Sequence, residues 1–275
     1  MKPRPFDYIR PDTVDEALSI LAEHGEDARI LAGGQTLIAM LNLRVVEAPV
    51  LIDITRIREL DAIREVDGTV EIGATVTQNR LLQLRSLAEK LPLLHAVLPF
   101  VGHFQTRNKG TVCGSIAHAD PASEIPLALA LLGGQVMLRS QKGARTLSAN
   151  EFQQGMLLTA RAPDELITAV RFPIVNARVA FREVARRHGD FAIVAIAAAA
   201  ENRESMRIGI AGMADRPAVR SLQVDGAASL QHAIERLAWE LEGYDDIHAS
   251  ARMRRDLLRG LGPIVVEEAR QQCAA

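Results

Sequence analysis

Cysteine is nearly absent from this chain. Of 275 residues only two are cysteines, Cys113 and Cys273. They stand far apart and in no CxxC-type spacing, so the chain carries no ligand set for a zinc site or an iron–sulfur cluster. Its seven histidines are dispersed, and no HxxxH or HExxH pair places two imidazoles on one helical face, which argues against a metal centre. An excess of either charge is also missing. The 32 Lys and Arg against 34 Asp and Glu leave a formal net charge of -2, and the cations form no stripe. Neither nucleic acid nor an anionic membrane is therefore an expected partner. The longest apolar run, Phe191 to Ala200, is about half the length of a membrane span. Behind the basic start MKPRPFDYIRP there is no apolar core of a signal peptide. These absences point to a cytoplasmic chain without a membrane span, and 48% apolar with 24% charged residues is the balance of a globular protein with a proper core.

The pattern that remains is mixed α and β. Thr13 to Glu16 fits the T-x-x-E capping box, and Val14, Ala17, Leu18 and Leu21 follow at helical spacing until Gly25. Ala28 to Ala32 reads as a short strand, Gly33-Gly34 as a turn, Thr36 to Arg44 as a helix and Val50 to Ile54 as another strand, which ends a small first unit near Arg56 to Glu59. Asp67-Gly68 marks a hairpin returning through Thr69 to Gly73. Two helical segments follow, Thr77 to Leu84 and Leu87 to Leu98. His103 to Pro126 loses periodicity and reads as a polar, glycine-broken loop. Ile125 to Leu132 is then a helix, Gln135 to Arg139 a strand, Ser148 to Glu151 a second capping box, and Glu165 to Phe172 a closing strand. Past a boundary at Ile174 to Ala177, the segments 179–187, 191–201 and 207–213 suggest a three-stranded antiparallel sheet. The helices Ser229 to Glu242 and Asp246 to Gln271, the second interrupted at Gly260 to Pro263, would cover it.

Two stretches do not suit ordinary core. LAGGQTL at Leu31 to Leu37 and TVCGSIAHADPASEIP at Thr111 to Pro126 gather glycines with small hydroxyl and amide side chains. Backbone is kept bare there, the first time at a strand-to-helix turn, where unpaired N–H groups and the helix dipole can hold an anion. Few cations lie in these runs, so recognition would rest on neutral donors and backbone amides. Both runs are expected to face one ligand.

AGGQT at Ala32 to Thr36, RNKGTVCGSIAHADPASE at Arg107 to Glu124 and RRHGDFA at Arg186 to Ala192 resemble the FAD-binding medium subunit of molybdenum-containing hydroxylases. That family includes carbon monoxide dehydrogenase, the xanthine dehydrogenases and bacterial N-heterocycle hydroxylases. The likeness runs over essentially the whole chain in the same order. It implies an α+β protein with a two-part FAD-binding domain of the vanillyl-alcohol-oxidase (PCMH) type at residues 1–175, with subdomains 1–57 and 58–175. A C-terminal α+β domain of the carbon monoxide dehydrogenase flavoprotein type follows at 176–275.

Carried over residue by residue, the resemblance implies that Leu31, Ala32, Gly33, Gly34, Gln35, Thr36 and Leu37 wrap the FAD pyrophosphate and that Thr111, Gly114 and Ser115 line its other side. Glu124 stands where the family usually has an aspartate that bonds the ribityl or ribose region, and Ile167 where an aliphatic residue packs on the cofactor. Arg182 matches a basic position near the flavin, with a surface salt bridge as the alternative. Phe191 either covers a flavin face or packs in the core. His118 either bonds within its loop or touches the cofactor. Cys113 replaces the first glycine of the usual TxGG run, as a small buried hydrophobe or as a thiol near flavin.

The function implied is electron transfer. A large molybdopterin-binding subunit hydroxylates the substrate, a small 2Fe–2S subunit conducts the electrons, and FAD in this chain passes them to NAD, dioxygen or another acceptor, the whole being a dimer of heterotrimers. No side chain here acts on the organic substrate. The alternatives are a free-standing flavoprotein oxidase or reductase, for which only Tyr8 and Tyr244 offer phenols, and a scaffold relative that has lost FAD.

Overall fold

A computed structural model describes residues 2–272, and Cys273 lies outside the described residues. Among the described residues, three sheets of three or more strands follow one another along the chain. Asp7–Ile9 (β1), Ala28–Leu31 (β2) and Val50–Asp53 (β3) form a small parallel sheet in the order β1-β3-β2. Strand β1 is too short and too exposed for alternation to reveal it. It is tied in by side chains: the Tyr8 hydroxyl donates to Asp53 Oδ2, and Asp53 Oδ1 accepts from the Thr55 amide at 2.9 Å. Val14–His24 (α1) buries Val14, Ala17, Leu18 and Leu21, and the Thr13 hydroxyl caps it by accepting from the Glu16 amide. Leu37–Leu43 (α2) begins directly after the first glycine run.

Ile63–Val66 (β4), Thr69–Gly73 (β5), Gln135–Ser140 (β6), Gly143–Ser148 (β7) and, beyond the short pair Gln153–Gly155 (β8) and Leu158–Thr159 (β9), Leu166–Pro173 (β10) supply the second sheet. Its five strands run antiparallel in the order β4-β5-β10-β6-β7. Short helices cover it: Gln78–Leu82 (α3), Leu87–Lys90 (α4), Pro92–Val97 (α5), Phe104–Arg107 (α6), Val112–His118 (α7), Glu124–Leu132 (α8) and Ala149–Phe152 (α9). The stretch His103 to Pro126, read above as a loop, is therefore corrected to α6, α7 and the start of α8. Packing outweighs propensity here, because α7 buries Val112, Cys113 and Ile116 although a glycine sits in its middle.

Arg178–Val184 (β11), Val194–Ala200 (β12), Ser205–Ala211 (β13) and Ala218–Gln223 (β14) make an antiparallel third sheet. It has four strands in chain order, not the three expected. In the missed β14 only Leu222 is buried, so this edge strand shows no alternation. Ala227–Glu240 (α10) and Ala251–Gln272 (α11) cover one face. The expected interruption at Gly260 to Pro263 is absent, and α11 runs through Pro263. A Cβ on Gly262 would lie 3.0 Å from the Ile234 side chain, so the close crossing of α10 holds this segment helical.

Strand β12 is buried on both faces. Val194, Ile196, Ala198 and Ala200 join the core under α10 and α11, whereas Ala195, Ala197 and Ala199 face the core that contains α8. The alanine face lets α8, buried at all nine positions, lie against the sheet. Gly209 completes it, since a Cβ there would meet Leu127 Cδ1 at 2.9 Å.

One buried cation closes the third layer. Arg254, 1% exposed, donates to the Ile193 and Gly212 carbonyls and to Asp246, and lies 4.2 Å over the Tyr244 ring. It pins α11 to the ends of β12 and β13. Arg254→Met is expected to lower the unfolding free energy by about 3 kcal/mol, because buried carbonyls lose their donor; urea denaturation followed by circular dichroism measures it.

Candidate functional site

The two glycine runs touch through backbone. A Cβ on Gly33 would lie 2.3 Å from the Lys109 carbonyl oxygen and 2.8 Å from Gly110 Cα, so no side chain fits between them. Gly34 follows at φ +69, in the left-handed region that glycine adopts without strain. On the other side Thr111 caps α7, its hydroxyl accepting from the Gly114 amide at 3.0 Å. A Cβ on Gly114 would crowd that hydroxyl at 2.7 Å. The third motif docks by the same device: a Cβ on Gly189, at φ +85, would strike the Gly102 backbone at 2.9 Å.

Beside this seam lies a cavity of about 890 Å³, near the upper end of the roughly 300–1,000 Å³ typical of ligand pockets. Leu31, Ala32, Gly33, Gly34, Gln35, Thr36 and Leu37 line one part of it, and Thr111, Gly114, Ser115, His118 and Glu124 another. Ile167 reaches it from β10, where the register with β6 shifts between Ile167 and Ala169. Phe191 stands at the rim, 56% exposed, so it is not a core residue.

Arg182 is not brought there. Its guanidinium pairs with Glu268 of α11, outside the cavity lining. Side chains alternate along a strand. With Arg182 turned to α11, its neighbour Glu183 faces the other way, and it is Glu183 that feels the charge of Glu124.

Several lining residues carry no mark in the sequence. Arg29 and Arg161 bring two cations to a wall read above as neutral. Alternation along β2 is the one signal that could have indicated Arg29, since it shares a face with Leu31. Asp190 of the RRHGDFA motif also lines the cavity. Leu157 and Leu158 contribute an apolar edge, half exposed, with Leu157 at φ +56. Gln78, 5% exposed, is also a lining residue, and its amide oxygen, closed off from solvent, has no hydrogen-bond partner.

The electrostatics are unusual for carboxyls. Burial pushes Glu124 up to about 7, aided by Asp120. Burial and the Glu124 charge push Glu183 up to about 8, and Glu183 Oε2 is unpartnered. Burial holds His118 below the ordinary histidine value, against the pull of Asp120. Burial also raises the Cys113 thiol, whose Sγ is 3.5 Å from the Ile72 carbonyl. Cys113 is a small buried hydrophobe and not a reactive thiol. A bare glycine cradle, two cations and an apolar edge in one cavity fit a long ligand that is part phosphate and part aromatic.

Residues 4–175 match the family described as FAD binding domain in molybdopterin dehydrogenase. The chain belongs to that family. It is 40% identical over 224 residues to the caffeine dehydrogenase subunit beta of Pseudomonas sp. (strain CBB1), covering 79% of this chain and 76% of the relative. It is 35% identical over 199 residues to the carbon monoxide dehydrogenase medium chain of Afipia carboxidovorans, covering 72% and 69%. Its structure superposes on a chain of quinoline 2-oxidoreductase from Pseudomonas putida 86 with a TM-score of 0.93 and 32% identity, covering 100% of both chains. The α+β fold is thus that of the FAD subunits of these oxidoreductases, and the chain is an FAD-binding medium subunit of the molybdenum hydroxylase type. No helix among the described residues is long and apolar enough to cross a membrane.

Gly33→Ala is expected to lower stability by about 1–3 kcal/mol, since a loop must withdraw to admit the methyl group, and to strip FAD from the purified chain. Gly260→Ala, where a Cβ meets nothing within 4 Å, is the control and should stabilise α11 by up to about 1 kcal/mol. Flavin absorbance per polypeptide and thermal melting read both.

The carboxyl pair gives a pH dependence. Glu124 and Glu183 start from an ordinary value of 4.5 and are raised in the folded chain to about 7 and about 8. The folded chain therefore binds more protons than the unfolded one between these limits, and the stabilising effect, complete below pH 4.5, is lost as pH rises through them. The FAD-free chain should melt at progressively lower temperature from pH 5 to pH 8, and the Glu124→Gln, Glu183→Gln double variant should flatten that slope.

Proposed function

We propose that this chain is the electron-transfer subunit of a heteromeric molybdenum hydroxylase, taking electrons from 2Fe–2S clusters of a small partner and passing them to NAD, dioxygen or another acceptor. A large partner would hold the molybdenum cofactor and the organic substrate, and the assembly would be a dimer of heterotrimers. Residues 1–175 would carry the cofactor, with 176–275 closing one side through the RRHGDFA turn. The observation that carries this reading is the single cavity where both glycine runs meet on bare backbone. FAD, when bound, supplies the step between one-electron donors and a two-electron acceptor.

The chain's own residues would bind and orient. Leu31 to Leu37 would wrap the pyrophosphate with backbone amides, Thr111, Gly114 and Ser115 would line its other side, Arg29 and Arg161 would offset its charge, and Ile167 and Phe191 would contact the ring. Glu124 and His118 would reach the polyol or sugar. The related chains belong to enzymes named for caffeine, carbon monoxide and quinoline, chemically distant substrates on one kind of flavin subunit. This diversity supports a substrate pocket in the partner. Neither Tyr8 nor Tyr244 lines the cavity, so a phenol over the flavin, as a free-standing oxidase would use, is not supported.

Mixing the FAD-loaded chain anaerobically with a pre-reduced 2Fe–2S partner should bleach the flavin band within the mixing time, while small organic donors leave the isolated chain oxidised. A flavin that stays oxidised in the assembled complex overturns the proposal. Bleaching of the isolated chain by an organic donor would favour a free-standing oxidoreductase.

A further inference from the structure

Arg107 opens the second motif, RNKGTVCGSIAHADPASE, and ends α6. It does not line the cavity. Its guanidinium turns back onto the loop before α6, where Nη1 donates to the carbonyls of Pro99 at 3.3 Å, Val101 at 3.1 Å and Gly102 at 2.9 Å. Nε is buried without a partner, so the hydrogen bonds this guanidinium makes among the described residues all go to that loop. The loop in turn receives the third motif. A Cβ on Gly189 would lie 2.9 Å from the Gly102 carbonyl carbon and oxygen and 3.1 Å from the His103 ring. Phe100 and His103 flank His188 with ring centroids 6.2 and 6.3 Å away, and Phe100 meets Phe181 of β11 edge-on at 5.2 Å. Val101, Gly102 and His103 line the cavity, and so do Gly189, Asp190 and Phe191. The residues that Arg107 grips and the residues resting on them are thus two adjoining pieces of one wall.

Connecting loops are more mobile than the elements they join unless something ties them down. Here one charged donor spans three carbonyls, and hydrogen bonds from an ionised donor are stronger than neutral ones. It thereby fixes Gly102, at φ +55, as a flat seat for Gly189, at φ +85. We propose that Arg107 is a positioning residue for the flavin: by holding Pro99 to His103 it fixes the seat of Gly189 and so sets Phe191 at the cavity rim. Arg107 touches no ligand and acts through the contact of Gly102 with Gly189. The inference rests on the FAD reading above, in which Phe191 meets the ring, and it gives the second and third motifs a common task. The pyrophosphate cradle is held separately, by backbone. The Lys109 and Gly110 amides donate to the Thr106 carbonyl at 3.1 and 2.7 Å, and the Gly110 carbonyl accepts from the Gln78 amide at 2.8 Å. The flavin half of the ligand should therefore feel the loss of the Arg107 side chain, and the ADP half should not.

The test uses the full chain stripped of FAD and titrated with FAD and with ADP by calorimetry, together with the visible circular dichroism of the bound flavin. Arg107→Met should bind FAD roughly three- to tenfold more weakly, the cost of re-ordering a freed loop on binding, and ADP within about twofold of wild type. The spectrum of its bound flavin should change. Arg107→Gln, shorter and uncharged, stands in with the same expected pattern if Arg107→Met does not fold. Gly189→Ala, which forces the same contact apart, should reproduce the pattern. The double variant with Arg107→Met should then lose no more than the weaker-binding single variant, because both changes act on one contact. A purely structural role would lower both affinities together. Wild-type FAD affinity in the Arg107 variant, a parallel loss of ADP, an unaltered flavin spectrum or additive losses in the double variant would each overturn the proposal and leave the FAD reading standing. A wild-type chain that takes up no FAD overturns the functional reading and this inference with it.

Discussion

Two stretches of backbone meet at Gly33 with no room for a carbon atom between them, and the cavity lies along that meeting. Gly33 follows the parallel sheet, and Lys109 and Gly110 belong to the helical layer over the five-stranded sheet. Their approach joins the parallel sheet to the helical layer beside the cavity. Where side chains are excluded, backbone N–H groups become the available donors, and a row of amides suits an anion better than a few flexible lysines, because their positions are fixed before the ligand arrives. Stability and binding thus place the same demand on one residue.

A second meeting is equally close but uses side chains. Helix α8 is buried on every side, and the third sheet meets it with Ala195, Ala197 and Ala199 and with Gly209, residues too small to hold it away. This contact carries Glu124, the first residue of α8, into the cavity wall and sets it near Glu183 of β11. Two carboxyls in a dry place cannot both ionise cheaply, and both are displaced toward neutrality. The alanines of β12 are therefore part of the electrostatics of the site, although none of them touches it.

What could be read in advance was local. The capping hydroxyls of Thr13 and Ser148, the hairpin at Asp67-Gly68 and the turn at Gly33-Gly34 are written in a few consecutive residues, and the structure contains each of them. What escaped depends on distant partners. Strand β1 exists because β3 is beside it, β14 is an edge with one buried side chain, and α7 is helical because its apolar face is covered. Arg182 shows the limit of carrying a role across a resemblance. Position along the strand was available from the sequence, but the direction of the side chain was decided by Glu268, 86 residues away. Gln78 and Arg254 belong to ordinary-looking helices, and only the fold reveals that one has an unpartnered, buried amide oxygen and the other is a buried clamp.

Cys113 shows how a departure from a glycine pattern can be harmless. The neighbouring Gly114 cannot take a side chain, because its Cβ position is occupied by the capping hydroxyl of Thr111. One residue earlier the direction differs by about 100° around the helix. There the Cβ turns inward to the core shared with Val112 and Ile116, and the sulfur reaches the Ile72 carbonyl of β5. A glycine at 113 would leave that volume to be filled by neighbours, whereas cysteine fills it with a compact apolar group. Burial keeps the thiol protonated, which removes the thiolate that would attack a flavin or an oxidant. The motif therefore constrains its two positions for different reasons: 114 must be bare so that the helix can be capped, and 113 need only be small.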